Sequence, residues 1–219
     1  HILDVLREPM ETGEINISRA AQKVVYPADF QLVCAMNPSP TGDIDDKRAN
    51  PDQVLRYLNR ISGPFLDRID LQVNVPKIDL SKALKMKHQS KSIVEVSQST
   101  DGQKSLIAEQ SVNKGTETSD IVKRRVIAAQ HRQLERQGKL NKGLNGKEIE
   151  LYCPLSETES LFLSKAMQSM NLSMRAYHRT MRVARTIADL DRVERVNQQH
   201  LAEALSFRRF DRMLNELTE

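Results

Sequence analysis

The segment Ser173–Leu190, with the sequence SMRAYHRTMRVARTIADL, decides the fold class of the carboxyl-terminal half of this 219-residue chain. Its apolar side chains recur at intervals of three and four residues, which predicts an amphipathic helix with one buried face. Ser173 is suited to cap this helix, because its hydroxyl can accept a hydrogen bond from a first-turn amide. Similar patterns over 119–137, 156–169 and 197–206 predict an all-α domain around it.

Arginines occupy the opposite side of this predicted helix. Arg179, Arg182 and Arg185 are most simply interpreted as a solvated basic face. Arg175 falls in the first turn, where the helix dipole disfavours a cation. An anion shared with a neighbouring surface is one explanation for an arginine at that position.

The first 80 residues have the mixed pattern of an α/β layer. Glu14–Ser18 and Lys23–Tyr26 have the composition of short strands. Phe30–Met36 is almost entirely apolar, which is typical of a strand buried on both faces of a parallel sheet. Leu71–Val75 alternates as a second core strand. This part of the chain is therefore predicted to be α/β, and the later part all-α.

A change of composition separates the two parts. From 81 to 118, Ser, Thr, Gln and Lys make up 20 of 38 residues, which indicates a polar linker or surface insertion. We expect three regions: an α/β part over 1–80, the polar insertion over 81–118 and the helical domain over 119–219.

Charge and cysteine usage exclude several classes of protein. The 33 Lys and Arg against 29 Asp and Glu give a net charge of +4, too weak a field to identify an anionic partner. Cys34 and Cys153 lie far apart, and no CxxC or HExxH motif is present, so we predict no metal site. The absence of a signal peptide and of a long apolar span predicts a cytoplasmic protein without membrane contact. Because the chain opens at His1 inside a helical pattern, we expect it to come from a longer protein.

Two residues outside the helical domain are candidates for chemistry. Asn37 follows Phe30–Met36, and the carboxyl ends of strands face the ligand crevice in open α/β sheets. A turn started by Asn-Pro is the alternative interpretation. Arg68 lies between Asp67 and Asp70, and its guanidinium suits charge stabilisation on phosphate. A structural ion pair between Arg68 and either aspartate is the alternative here.

The chain contains no phosphate-cradling motif of its own. A P-loop needs GxxxxGK[ST], so that glycine amides surround the phosphates and the lysine reaches them. Neither this motif nor an apolar strand ending in Asp-Glu occurs in the sequence. The chain by itself therefore cannot bind ATP in the P-loop manner.

Five segments carry a resemblance to a known family. They are LDVLREPME at 3–11, ISRA at 17–20, FQLVCAMNP at 30–38, RISGPFLDRIDL at 60–71 and the helix sequence at 173–190. Through them the chain resembles the magnesium-chelatase-like AAA+ ATPases, and within that family the ComM branch. The resemblance implies a partial AAA+ core with a parallel sheet and a β-hairpin, followed by an all-α helical lid. It also implies that the P-loop and the magnesium-binding Asp-Glu lie upstream of the helix that opens this chain.

The resemblance implies roles for five residues. Asn37 matches the sensor-1 asparagine, which positions the attacking water near the γ-phosphate. Arg68 matches the arginine finger, which is offered to the ATP of a neighbouring subunit. Arg175 matches the sensor-2 arginine of the lid, which contacts the γ-phosphate. Arg19 and Lys23 match a hairpin that points into the central pore of hexameric relatives, where they would contact a DNA backbone.

The resemblance also implies a function. It is that of a hexameric, ATP-dependent DNA branch-migration helicase that aids natural transformation and recombination. Its cofactors would be ATP and Mg²⁺, and its partners other copies of itself and single-stranded or branched DNA. We expect the chain alone to be inactive and to bind neither cofactor tightly. A magnesium chelatase subunit, which inserts Mg²⁺ into protoporphyrin, and a non-enzymatic basic helical adaptor are the alternatives.

Overall fold

A computed structural model describes residues 2–19, 22–37, 39–40, 50–75 and 117–208 of the chain. The chain divides into two compact units, one formed by 1–72 with 124–219 and the other by 73–123. The described residues are mostly helical, with one two-stranded antiparallel sheet. Of the polar insertion predicted over 81–118, only 117 and 118 lie in the described part, so the predicted division into three regions stays a prediction.

The amino-terminal segment forms two short helices followed by a β-hairpin. Helix α1 spans Ile2–Val5 and helix α2 spans Pro9–Thr12. Gly13 ends α2 with a φ of 71°, and its amide donates to the carbonyl of Pro9. Because this left-handed conformation is strained for residues with a Cβ, glycine is the residue that suits the turn into the hairpin.

The hairpin has strand β1 at Glu14–Arg19 and strand β2 at Gln22–Pro27. The strands are antiparallel, with Ile15 opposite Tyr26 and Ile17 opposite Val24. This confirms the hairpin that the family resemblance implied. The apolar side chains of both strands are exposed, so the hairpin contributes little to the core.

The parallel sheet expected at Phe30–Met36 and Leu71–Val75 is not confirmed. The structure gives both segments an irregular conformation, and Val33 is 82% exposed. Cys34, in the middle of the first segment, is exposed as well. A strand buried on both faces needs hydrogen-bonded neighbours and covering helices, and no strand among the described residues forms a ladder with either of these two.

Two helices precede the candidate arginine of the loop. Helix α3, Pro51–Leu58, begins at Asn50, whose side chain accepts from the amide of Asp52. Helix α4, Gly63–Leu66, is a single turn that buries its last two side chains.

The carboxyl-terminal helices follow the sequence prediction closely. Helix α5 is Ser119–Gln137, and a 3₁₀ turn over Asn141–Gly143 precedes α6, Gly146–Tyr152, which the sequence analysis did not predict. The remaining helices are α7 at Glu157–Ser169, α8 at Met174–Leu190 and α9 at Gln198–Ser206. Among the described residues, no helix is long and apolar enough to cross a membrane.

The hydrophobic core lies among these helices, and the most extensive contact between two of the described helices is that of α8 with α9. Ala184 and Ala188 of α8 are fully buried, and such small residues allow a neighbouring helix to approach closely. Around them pack large side chains that are almost completely buried, including Leu144, Leu163, Met181 and Leu201. This core fixes α8 and with it the position of the α8 arginines.

Candidate functional site

Arg68 lies directly after helix α4, and all three of its nitrogen groups donate hydrogen bonds. Nε donates to the carbonyl of Arg7 at 3.1 Å, and Nη1 donates to the carbonyl of Pro64 at 2.5 Å. Nη2 reaches a carboxylate oxygen of Glu11 at 2.5 Å. The side chain is 9% exposed. Two backbone carbonyls thus fix the guanidinium, while its third contact is an ion pair.

Glu11 binds a second arginine with its other oxygen. Nε of Arg175, at the start of helix α8, donates to Oε1 of Glu11 at 3.0 Å, while Oε2 accepts from Arg68. The structure therefore brings together Arg68 and Arg175, which the sequence analysis singled out separately, on one carboxylate. We call Glu11, Arg68 and Arg175 the Glu11 cluster.

The Glu11 cluster is open to solvent on the side of Glu11 and Arg175, which are 41% and 42% exposed. Partial burial opposes ionisation of Glu11, but the positive charges of Arg68 and Arg175 outweigh this and lower its pKa. An open cleft beside Arg68 is lined by polar residues of α2 and of the turn between α1 and α2, including Arg7, Glu8 and Thr12. The site can thus hold one negative group between two guanidiniums next to water.

The loop that carries Arg68 is fastened to the beginning of α8. The hydroxyl of Ser173 donates to Asp67 at 3.1 Å and also accepts from the amide of Ala176, which confirms Ser173 as the N-cap. Nη1 of Arg179 binds Asp70 at 2.7 Å. Both aspartates therefore have partners on α8. Arg68 does form the ion pair of the alternative interpretation, but with Glu11 and not with either of these aspartates.

Asn37 is exposed at the end of an irregular stretch. In the part of the chain that the structure describes, its side chain makes no hydrogen bond to Arg68 or Arg175. Lys23 is exposed on β2 opposite Ser18, and the backbone of Arg19 pairs with Gln22 at the turn end of the hairpin. The structure thus unites two of the five predicted site residues.

The remaining arginines of α8 are not the solvated face that the sequence predicted. Nε of Arg182 donates to the carbonyl of Leu144 at 2.9 Å, and burial lowers the pKa of this guanidinium. Arg185 is 1% exposed and donates to the carbonyls of Glu194 and Val193 at 2.5 and 2.7 Å. A helical pattern identifies one face of a helix, but not the loops that cover the other.

Asp189 is the centre of a second carboxylate cluster. It accepts from Nη1 and Nη2 of Arg136 at 2.5 and 3.0 Å, from Arg185 at 3.0 Å and from the amide of Asn141 at 2.9 Å. Nη1 of Arg132 binds its backbone carbonyl at 2.6 Å. We call this group the Asp189 cluster. It ties α5 and the 3₁₀ turn to the end of α8.

Asp189 itself is 1% exposed. Burial opposes its ionisation, but hydrogen bonds from Arg136 and Asn141 and the charge of Arg185 outweigh it, so that its pKa lies below the usual value. Nothing in the sequence singles out Asp189 or Glu11. An acidic residue every few positions along a helix gives no signal of which arginine it meets.

No metal centre is found in the described residues. No group of three or more His, Cys, Asp or Glu side chains there could hold a metal ion. Burial raises the pKa of Cys153 to about 11, so this thiol is protonated at neutral pH.

Comparison with known proteins identifies the family to which the chain belongs. A family model described as magnesium chelatase, subunit ChlI, matches residues 1–83, and one described as its C-terminal part matches residues 116–208. The chain therefore belongs to the magnesium-chelatase-like family, as its motifs predicted.

The chain is also similar over nearly its whole length to individual proteins. The chain is 45% identical over 219 residues to the competence protein ComM of Haemophilus influenzae, which is 99% of this chain and 38% of that protein. It is 44% identical over 217 residues to YifB of Salmonella typhimurium and 43% identical over 217 residues to YifB of Escherichia coli, in each case 98% of this chain and 38% of the relative. The chain thus spans well under half the length of these relatives.

Proposed function

We propose that this chain is the sensor and lid portion of an ATP-driven hexameric motor that moves branched or single-stranded DNA in the cytoplasm. The observation that carries the proposal is the Glu11 cluster, in which Arg68 and Arg175 bind the two oxygens of one carboxylate. Two guanidiniums from distant parts of the sequence that converge on one anion have the arrangement needed to bind a phosphate group.

In the proposed cycle, both arginines act on the charge of the transferring phosphoryl group. Arg68 acts as the finger at the ATP of a neighbouring subunit, and Arg175 acts as sensor 2. A finger arginine contributes about 10³–10⁵ in rate, because it stabilises charge that develops only in the transition state. ATP and Mg²⁺ would be held by motifs that this chain does not contain.

In the proposed function, Asn37 acts at the end of a strand in a sheet. The other strands of this sheet come from further parts of the protein. Phe30–Met36 is apolar but solvent-exposed, with Val33 largely uncovered. We expect this segment to become a strand when neighbouring strands are supplied, and Leu71–Val75 to do the same. Asn37 would then stand at a strand end and orient the attacking water.

Two observations support DNA as a partner: the similarity to a competence protein and the exposed hairpin. The Haemophilus influenzae relative is named a competence protein, which supports a role in natural transformation. Lys23 is exposed on the hairpin, and the backbone of Arg19 lies at its turn end, where both could contact a phosphate backbone. Double replacement of Arg19 and Lys23 by Ala should weaken DNA binding without changing ATP affinity.

The test uses the longer protein of which this chain is a part. ATP hydrolysis with Mg²⁺ is measured with and without branched DNA for the wild type, Arg68→Ala, Arg175→Ala and the control Arg195→Ala. Arg195 is exposed, and no partner for its side chain lies among the described residues. We expect stimulation by DNA, a loss of about 10³ for Arg68→Ala, a smaller loss for Arg175→Ala and no loss for the control.

Other results would contradict the proposal. Stimulation by chelatase partner subunits instead of DNA would indicate a magnesium chelatase. The absence of any nucleotide effect on assembly or hydrolysis would indicate a helical adaptor. If Arg68→Ala hydrolysed ATP at the same rate as the wild type, Arg68 would not be the finger.

A further inference from the structure

The Glu11 cluster contains its own anion. Glu11 already satisfies Nη2 of Arg68 and Nε of Arg175, the groups with which these arginines would bind phosphate oxygens. A phosphate that binds these same two donors has to replace the carboxylate, because the two anions compete for them. This inference rests on the proposed function, in which these arginines meet nucleotide phosphate.

The geometry makes such an exchange feasible. Glu11 and Arg175 are both about two-fifths exposed, so that water can take over their contacts. Ion pairs at this exposure are weak, because solvent screens them. Arg68 stays in place during the exchange, since the carbonyls of Arg7 and Pro64 hold its other two nitrogens. Only the contacts to Glu11 have to break.

The cluster also joins separate parts of the unit. Glu11 belongs to α2, Arg68 to the loop after α4 and Arg175 to the first turn of α8. When a phosphate takes the place of Glu11, the bond between α2 and α8 through Glu11 is lost. Occupancy of the arginines by phosphate is thus coupled to loss of this link between α2 and α8.

We propose that Glu11 is a built-in counter-anion that occupies Arg68 and Arg175 until a polyphosphate displaces it. Glu11 is a positioning residue in this scheme, because it acts through the two arginines and does not touch the reacting atoms. If Glu11 is bound to the two arginines in most molecules, phosphate can bind only to the remaining fraction. The apparent affinity for phosphate is then lowered in proportion to that fraction.

The test is a binding titration of the 219-residue chain with inorganic tripolyphosphate, followed by calorimetry. Four proteins are compared: the wild type, Glu11→Gln, the control Glu8→Gln and the double variant Arg68→Ala with Arg175→Ala. Glu8 lines the same cleft but binds Asn16 instead of an arginine. It therefore controls for the general effect of removing one negative charge nearby. Thermal unfolding verifies that each variant is folded.

We expect Glu11→Gln to bind tripolyphosphate about tenfold more tightly than the wild type, as for a competing state that is populated at about 90%. Glu8→Gln should change the affinity by less than about twofold, since separated exposed charges are screened. The double arginine variant should not bind. Adenosine monophosphate serves as a second probe and should bind more weakly than tripolyphosphate if charge on a polyphosphate is what displaces Glu11.

Three results would overturn the inference: equal or weaker binding by Glu11→Gln, an equal gain for Glu8→Gln, or no binding by any of the four proteins. These outcomes are independent of hydrolysis by the longer protein. If Arg68→Ala left hydrolysis unchanged there, the proposed function would fail while the competition measured here could still stand.

Discussion

The Glu11 cluster and the Asp189 cluster use the same chemistry in different surroundings. Each gathers arginines from separate elements on one carboxylate. Asp189 is 1% exposed and also accepts from the neutral side-chain amide of Asn141, whereas Glu11 is 41% exposed. A buried cluster holds its partners because removing any one leaves an unpaired charge without water. An exposed one can exchange its partners.

The largest expected effect is on the buried cluster. Asp189→Ala leaves the guanidiniums of Arg136 and Arg185 without their carboxylate, and breaking a buried pair in this way costs about 3–5 kcal/mol. Urea unfolding followed by circular dichroism measures this loss at neutral pH. The control is Glu203→Gln, an exposed carboxylate on α9, for which a change within about 0.5 kcal/mol is expected. A similarly small loss for Asp189→Ala would show that the cluster is not structural.

Acid should act on the same cluster through Asp189. Because its pKa in the folded chain lies below the ordinary value of 3.8, its ionised form is favoured by folding. This stabilisation is complete above pH values near 4 and is lost as the pH falls through the folded pKa. The free energy of unfolding of the wild type should therefore decline more steeply below pH 4 than that of Asp189→Asn. Parallel profiles would contradict this assignment.

The exposed cluster should matter least for stability. Glu11→Gln removes the solvent-screened ion pair to Arg175, while two backbone carbonyls still hold the largely buried Arg68, so the free energy of unfolding should fall by only about 1 kcal/mol. The urea experiment described for Asp189 measures this difference too. A loss as large as that of Asp189→Ala would mean that Glu11 is a structural anchor, and the distinction between the two clusters would disappear.

The sequence predicted those parts of the fold whose signals are local. Helices α5, α7, α8 and α9 and the hairpin follow from apolar spacing, capping residues and family motifs, and the structure confirms them within a residue or two. Phe30–Met36 did not form the predicted buried strand. Its apolar composition indicates that it is stable when buried. Which elements bury a strand depends on residues far away in the sequence, so a local pattern does not predict them.

The candidate site shows the same limit. Arg68 and Arg175 stood out from motifs, but nothing in the sequence indicates that they share Glu11, because the three lie on separate elements. The burial of Arg182 and Arg185 was missed for a related reason. The carbonyls that they bind belong to residues outside the helical pattern, namely Leu144, Val193 and Glu194. The role of Asn37 stays a prediction.

One measurement tests most directly which arginines of this chain are available to phosphate. Two-dimensional ¹H–¹⁵N spectra of the arginine Nε–H groups are recorded as inorganic tripolyphosphate is added to the wild-type chain. The signals of Arg68 and Arg175 should shift with saturation, while those of Arg136 and Arg185 should stay unchanged. Shifts of equal size in both clusters, or shifts confined to Arg136 and Arg185, would contradict this expectation.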